Sequence, residues 1–150
     1  MTTTNIRYAL GQVRNTFEAV HSLNSKFFAE LSFVPVPNLA VQTMLKHDGN
    51  SLTVSAYDFV ASAKPRTVVD DNSEALIEYV FLVKHEAAVK PDTFIEVFRF
   101  YLRNDGGIAE DLDFQNILGD INMPNFANTL CSKVIQATLN SVVYKPRATA

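Results

Sequence analysis

Two glutamates, Glu78 and Glu96, sit inside otherwise apolar runs, "LIEYVF" and "FIEVFR". They are the best candidates in the chain for acid–base chemistry. A carboxyl withdrawn from water holds its proton more tightly and can then exchange it near neutral pH. Ion pairs of Glu96 with Lys84, and of Glu78 with Arg99 or Arg103, account for both residues more simply. The three histidines, His21, His47 and His85, fall in a helix, a turn and a strand end, none at metal-ligand spacing from another His, Cys or Asp. Cys131 is the single cysteine. An intramolecular disulfide is therefore impossible, and the thiol, mid-helix near an apolar face, reads as buried and inert. Glu110, Asp111 and Asp113 in "EDLD" offer oxygens to a hard cation but lack the twelve-residue calcium-loop pattern, so they read as a solvated acidic turn. There is no Gly-rich phosphate loop, nucleophile elbow or cysteine pair. These residues define no catalytic centre, no metal site and no cofactor, and they point away from an enzyme.

The elements that would position them can be read from periodicity. Residues 5 to 31 carry Ile6, Leu10, Val13, Phe17, Val20, Phe27 and Leu31 at alternating spacings of three and four, with Asn24 filling the gap. That is one apolar helical stripe, with Thr4 or Asn5 as cap. It can pack on the chain's own sheet or form a coiled-coil seam, the first being the commoner use. Pro35 and Pro37 end the helix and force an extended segment. Residues 39 to 46 are compatible with a short helix or a strand, and Asp48-Gly49 favours a strand entering a hairpin. Strands are expected at 51–61, 75–86 and 93–104, separated by a long turn "KPRTVVDDNS" and by "AAVKPD". "NDGG" at 104–107 reads as a hairpin-type turn and "IAEDLDF" as a short edge strand. A second helix starts at Asn122, its cap, with Pro124 in the first turn and an apolar face of Met123, Phe126, Ala127, Leu130, Val134, Ala137 and Thr138. The expected architecture is a single α+β domain over residues 1–150: an N-terminal helix, an antiparallel meander of four or so strands, and a C-terminal helix packed on the sheet.

The strand "TFIEVFRFYLRN" breaks the expected alternation. One face carries Phe94, Glu96, Phe98, Phe100 and Leu102, the other Ile95, Val97, Arg99, Tyr101 and Arg103. If it forms a hairpin with 75–86 around "AAVKPD", Lys84 falls opposite Glu96, Leu82 opposite Phe98 and Val80 opposite Phe100. Antiparallel sheets normally leave one face wet. Two dry faces require two covers: helices on one, and on the other a subunit, a hydrophobic client or a small ligand. The alternative is one helix on each face. Tyr79, Phe81, Val97, Phe98, Phe100 and Tyr101 are the candidate binding residues on this argument.

Composition narrows the partners. Eleven Phe without Trp give an aromatic core of plain rings, and 150 residues need no disulfide or metal to hold it. A formal charge of −3, with no run of Lys or Arg to track phosphates, argues against nucleic acid. No apolar run has the ~18 residues that would span a membrane, and no basic stretch precedes an apolar core in "MTTTNIRYAL". The expectation is a cytoplasmic protein.

The order of segments resembles the SecB export-chaperone family. "ELSFVPVPN" looks like its short first strand. "SLTVSAYDFVA", "ALIEYVFLVKH" and "TFIEVFRFYLRNDGG" are similar in order and spacing to its remaining strands, including the glycine pair. "NMPNFANTLCSKVIQATLNSVVYKP" resembles the helix and proline-containing tail that follow. The likeness covers about residues 30 to 147, and the long N-terminal helix is extra to the family pattern. It implies a homo-oligomer, typically a tetramer, that holds unfolded polypeptide clients in apolar grooves without ATP. Two other readings fit the same elements. One is a cystatin-like or nuclear-transport-factor-like cone, in which Glu78, Glu96, Tyr79 or Tyr101 would line an apolar pocket for a small ligand. The other is an interaction domain whose N-terminal stripe recruits a partner helix.

Overall fold

The computed structural model describes residues 3–30, 34–35, 43–48, 51–85, 93–123 and 126–146. Leu31, Pro37, residues 39–42, the turn at 87–92 and Pro124, all invoked above, lie outside these residues. The order of elements is α1 (Thr3–Glu30), β1 (Val34–Pro35), β2 (Thr43–Asp48), β3 (Ser51–Ala56), β4 (Phe59–Val69), β5 (Ala75–Lys84), β6 (Phe94–Leu102), β7 (Gly107–Ala109), β8 (Ile117–Asp120) and α2 (Phe126–Leu139). The fold is α+β, and the strands form one sheet in sequence order. The meander is longer than the four or so strands expected: among the described residues it has eight, of which β2 to β6 and β8 are four residues or longer. Two compact units can be distinguished along the chain. Unit 1 is Met1–Glu30, Arg66–Glu78 and Phe100–Met123, and unit 2 is Leu31–Pro65, Tyr79–Arg99 and Pro124–Ala150.

Two corrections to the strand boundaries have local causes. The expected strand 51–61 is two strands, because Tyr57 adopts φ 56° and turns the chain so that Ala56 pairs with Phe59. β4 then runs on through "KPRTVV", expected as a turn, to Val69. Pro65 lies two residues past Ala63, the last β4 residue whose pairing with β3 is seen among the described residues, and a proline is best tolerated where a ladder runs out. The true turn is short, with Asp70 Oδ1 accepting from Asn72 N at 2.9 Å and Glu74 N at 3.0 Å. At 43–48 the strand reading holds, paired with β3 from Thr43↔Ala56 to Asp48↔Ser51.

In unit 1, α1 lies against strand residues through one edge of the expected stripe, Val20 and Phe27, joined by Thr16. Thr16, Val20 and Phe27 are buried, while Ile6, Leu10 and Phe17 are exposed. At 100° per residue the two sets are roughly 80° apart around the helix. Thr16, which is not part of the expected stripe, joins this edge: its hydroxyl accepts a 2.7 Å hydrogen bond from Ala75 N at the start of β5. The Phe27 ring meets Phe100 edge-on at 6.1 Å. A separate cluster of Leu76, Tyr101, Ala109 and Phe114, with Val68 against it, is built from β4, β5, β6 and the segment that follows β6. Over Ala75–Glu78 both sides of β5 are buried within the chain.

The glycine pair of "NDGG" has two separate reasons. Gly106 sits at φ 89°. At Gly107 a Cβ would stand 3.0 Å from Asp105 Oδ1 and 3.3 Å from both Arg103 Nη2 and Phe114 Cε2. That crowding reflects a tight cluster: Arg103 pairs with Asp105 at 2.9 Å and lies over the Phe114 ring at 4.1 Å. β7 and β8 follow, so the segment "IAEDLDF" is strand only in its first residues, and β8 at Ile117–Asp120 was not foreseen.

In unit 2, α2 packs on β2 and β3. Its buried residues are Phe126, Leu130, Cys131, Val134 and Thr138, and on β3 Leu52, Val54 and Ala56 face inward. The helix is described from Phe126, residues 124 and 125 lying outside the described residues. Asn122, expected as its cap, belongs to a turn in which its N–H donates to Asp120 Oδ1 at 2.8 Å. The inner layer continues with Ala61, Ala63, Tyr79, Phe81, Val83 and Phe98.

Candidate functional site

The six candidate binding residues are divided by burial. Tyr79, Phe81 and Phe100 have no exposed surface, Phe98 and Tyr101 almost none, and Val97 is half-buried. The Phe81 and Phe98 rings lie 6.4 Å apart. This contact corrects the expected hairpin register, because it puts odd positions of β5 on the face of even positions of β6. Leu82 is exposed while Phe98 is buried, so the two do not share a face. Glu96 does not meet Lys84 either; it pairs with Arg99, three residues on.

Glu78 is the buried carboxylate foreseen in the sequence, with partners other than those expected. Oε1 accepts from Arg66 Nε at 2.7 Å and Oε2 from the Tyr101 hydroxyl at 3.0 Å. Arg66 is itself largely solvent-exposed and lies twelve residues back on β4. Among the described residues no buried side-chain nitrogen or oxygen lacks a hydrogen-bond partner. This arrangement neutralises a carboxylate inside a sheet. It brings Glu78 and Tyr101 together, sends Tyr79 to the opposite face by strand alternation, and leaves Glu96 at the surface.

The other chemical candidates are similarly placed. His21 Nε2 and Thr67 Oγ1 share a hydrogen bond of 2.9 Å, and the Phe17 ring lies 4.1 Å from the His21 ring. The side chain of His47 lies outside the described residues. Cys131 is buried, and burial pushes its thiol up to about 12. The Asp111 carboxylate is held below the ordinary aspartate value by the backbone N–H of Asn116 first and then that of Gln115, closing its own loop. No group of three or more His, Cys, Asp and Glu is placed to hold a metal ion among the described residues. No helix among them is long and apolar enough to cross a membrane.

What unit 2 does offer is an open groove of about 520 Å³. Val60 and Ser62 of β4 and Leu82 and Lys84 of β5 line it from alternate strand positions, so they belong to one face of the sheet. Phe94 at the start of β6 and Tyr144 from the turn after α2 close its sides, and Asp58 and His85 lie at its rim. Tyr144 is fixed there by an edge-on contact with Phe59 at 4.8 Å. Val60 is 40% exposed, Leu82 38% and Phe94 53%. These are large apolar side chains on three strands facing solvent together. The sequence signal for this surface was present in the two-sided apolar pattern of β5 and β6. Choosing the strongest aromatic residues selected the core instead, because the largest rings fill the interior first.

No protein-family model, curated protein or solved structure matches the chain.

Proposed function

We propose that this chain is a non-enzymatic binding protein that holds an apolar stretch of unfolded polypeptide in the groove of its second unit. In this reading it works as an assembly of several copies, in the manner of a SecB-like chaperone. The observation that carries the reading is the uncovered part of the second apolar sheet face, where Val60, Leu82 and Phe94 face solvent around the groove. Contiguous exposed apolar surface of this kind marks a place where something else binds. Its lining is mixed in the way a peptide groove requires, with apolar floor residues and Asp58, Lys84 and His85 available to main-chain amides and side chains. A small-ligand pocket would enclose most of its ligand and converge polar groups on it. Here the polar centre, Glu78, is occupied by Arg66 and Tyr101 and does not line the groove.

The test is suppression of aggregation of a chemically unfolded client, followed by light scattering, for the native chain and for Leu82→Glu. Leu82 is exposed, so the charge enters water and the fold is kept. The native chain is expected to suppress aggregation at near-stoichiometric amounts and the variant to lose roughly tenfold in potency, as for a central apolar contact. Equal suppression by both proteins, or none by the native chain, would remove the reading.

A further inference from the structure

The exposed residues of α1 form a second apolar surface, independent of the groove. Ile6, Leu10 and Phe17 are 45%, 63% and 42% exposed. Their spacings of four and seven put them on one side of the helix. The neighbouring side is already used, since Thr16, Val20 and Phe27 are buried in unit 1. The helix therefore carries two apolar faces and docks only one of them on its own chain. Phe17 is a fixed anchor rather than a loose one. Its ring lies on His21, which is tied to Thr67 of β4 at 2.9 Å. Rigid aromatic anchors of this kind dominate helix-in-groove recognition.

The flanking charges decide what the ridge fits. Arg7 and Arg14 lie one heptad apart on its outer side, and no carboxylate precedes Glu18 in a chain whose net charge is −3. Neither arginine makes an ion pair among the described residues. A second copy of this chain is a poor occupant. With Ile6, Leu10, Val13 and Phe17 as the seam, an antiparallel copy sets arginine against arginine. A parallel copy sets Arg14 near Ala9, without a carboxylate. We infer that this ridge docks an amphipathic helix of another protein, one with apolar residues spaced four and seven apart and Asp or Glu on its flanks.

The experiment uses the full chain and two synthetic helical peptides, identical in their leucine seam, one flanked by Glu and the other by Lys. Fluorescence anisotropy is expected to show the Glu-flanked peptide binding about tenfold tighter at low salt, the size of two rim charge pairs, with the preference shrinking as salt rises. Leu10→Glu should weaken it about tenfold with the far-ultraviolet circular dichroism unchanged. Arg7→Glu combined with Arg14→Glu should reverse the preference toward the Lys-flanked peptide, and Leu82→Glu should change nothing, which separates this surface from the groove. Equal binding of the two peptides, or an unchanged preference in the charge-reversed variant, would overturn the inference. So would binding lost in Leu82→Glu but kept in Leu10→Glu, or a dimer mass that Leu10→Glu abolishes.

Discussion

Glu78 is a carboxylate inside a sheet, and its two oxygens are divided between a cation that reaches in from solvent and a buried phenol. A charge in that position is stabilising only while both partners are present, because a buried acceptor network is strong when satisfied and expensive when broken. Glu78→Ala takes the shared acceptor from Arg66 and Tyr101 and should cost about 2–3 kcal/mol in urea unfolding. Glu78→Gln, which keeps the shape and one acceptor, should cost less. An unchanged midpoint for Glu78→Ala would show that the network carries no stability. Cys131 makes the opposite case, a reactive group made inert by its surroundings. With its thiol pushed up to about 12 by burial, it should stay unmodified by Ellman's reagent at pH 8 in the folded protein and react at once in denaturant. The sequence located both residues correctly as buried. It misassigned the glutamate's partners because register is set by which side chains fill the core, and a one-residue slip exchanges every face.

At the scale of elements, the segment after β6 is held by carboxylates that are more acidic than usual. The Asp105 carboxyl lies below its ordinary 3.8, chiefly through the hydrogen bond from Arg103, with Gly107 N–H adding to it. A depressed folded value stabilises above the ordinary value, and that stabilisation is lost as pH falls through the folded one. The native chain should therefore melt at higher temperature than Asp105→Asn at pH 5, and the gap should close as pH is lowered below 3.8 toward 2. A constant gap would mean that the Arg103–Asp105 pair contributes nothing through its charge. The same scale shows what a single sequence conveys. The long helix, the core strands and the glycine turn were legible because periodicity and φ requirements are local. The break at Tyr57, the continuation of β4 through Pro65 and the turn at Asn122 were not. Each depends on a non-glycine turn residue, on where a neighbouring strand stops, or on a turn closed by Asp120. The stripe of α1 was legible in part: Val20 and Phe27 are buried as periodicity requires, while Thr16, outside the stripe, is buried beside them by its hydrogen bond from Ala75 N.

For the molecule as a whole, the question is how many copies act together. The proposed assembly predicts a mass in light scattering after size exclusion that is a multiple of 16.7 kDa and is unchanged in Leu82→Glu. A mass of one chain would remove the assembly and leave the groove. A mass that drops in Leu82→Glu would assign the groove to the contact between subunits and not to clients. The proposed function would carry a hazard of its own, since unfolded chains held at high local concentration can pair with any strand flank that has free ladder groups. Among the described residues the pairing of β4 with β3 is seen as far as Ala63. The next residues are Lys64, Pro65 and Arg66. A missing donor between two cations makes this stretch a poor template for another strand.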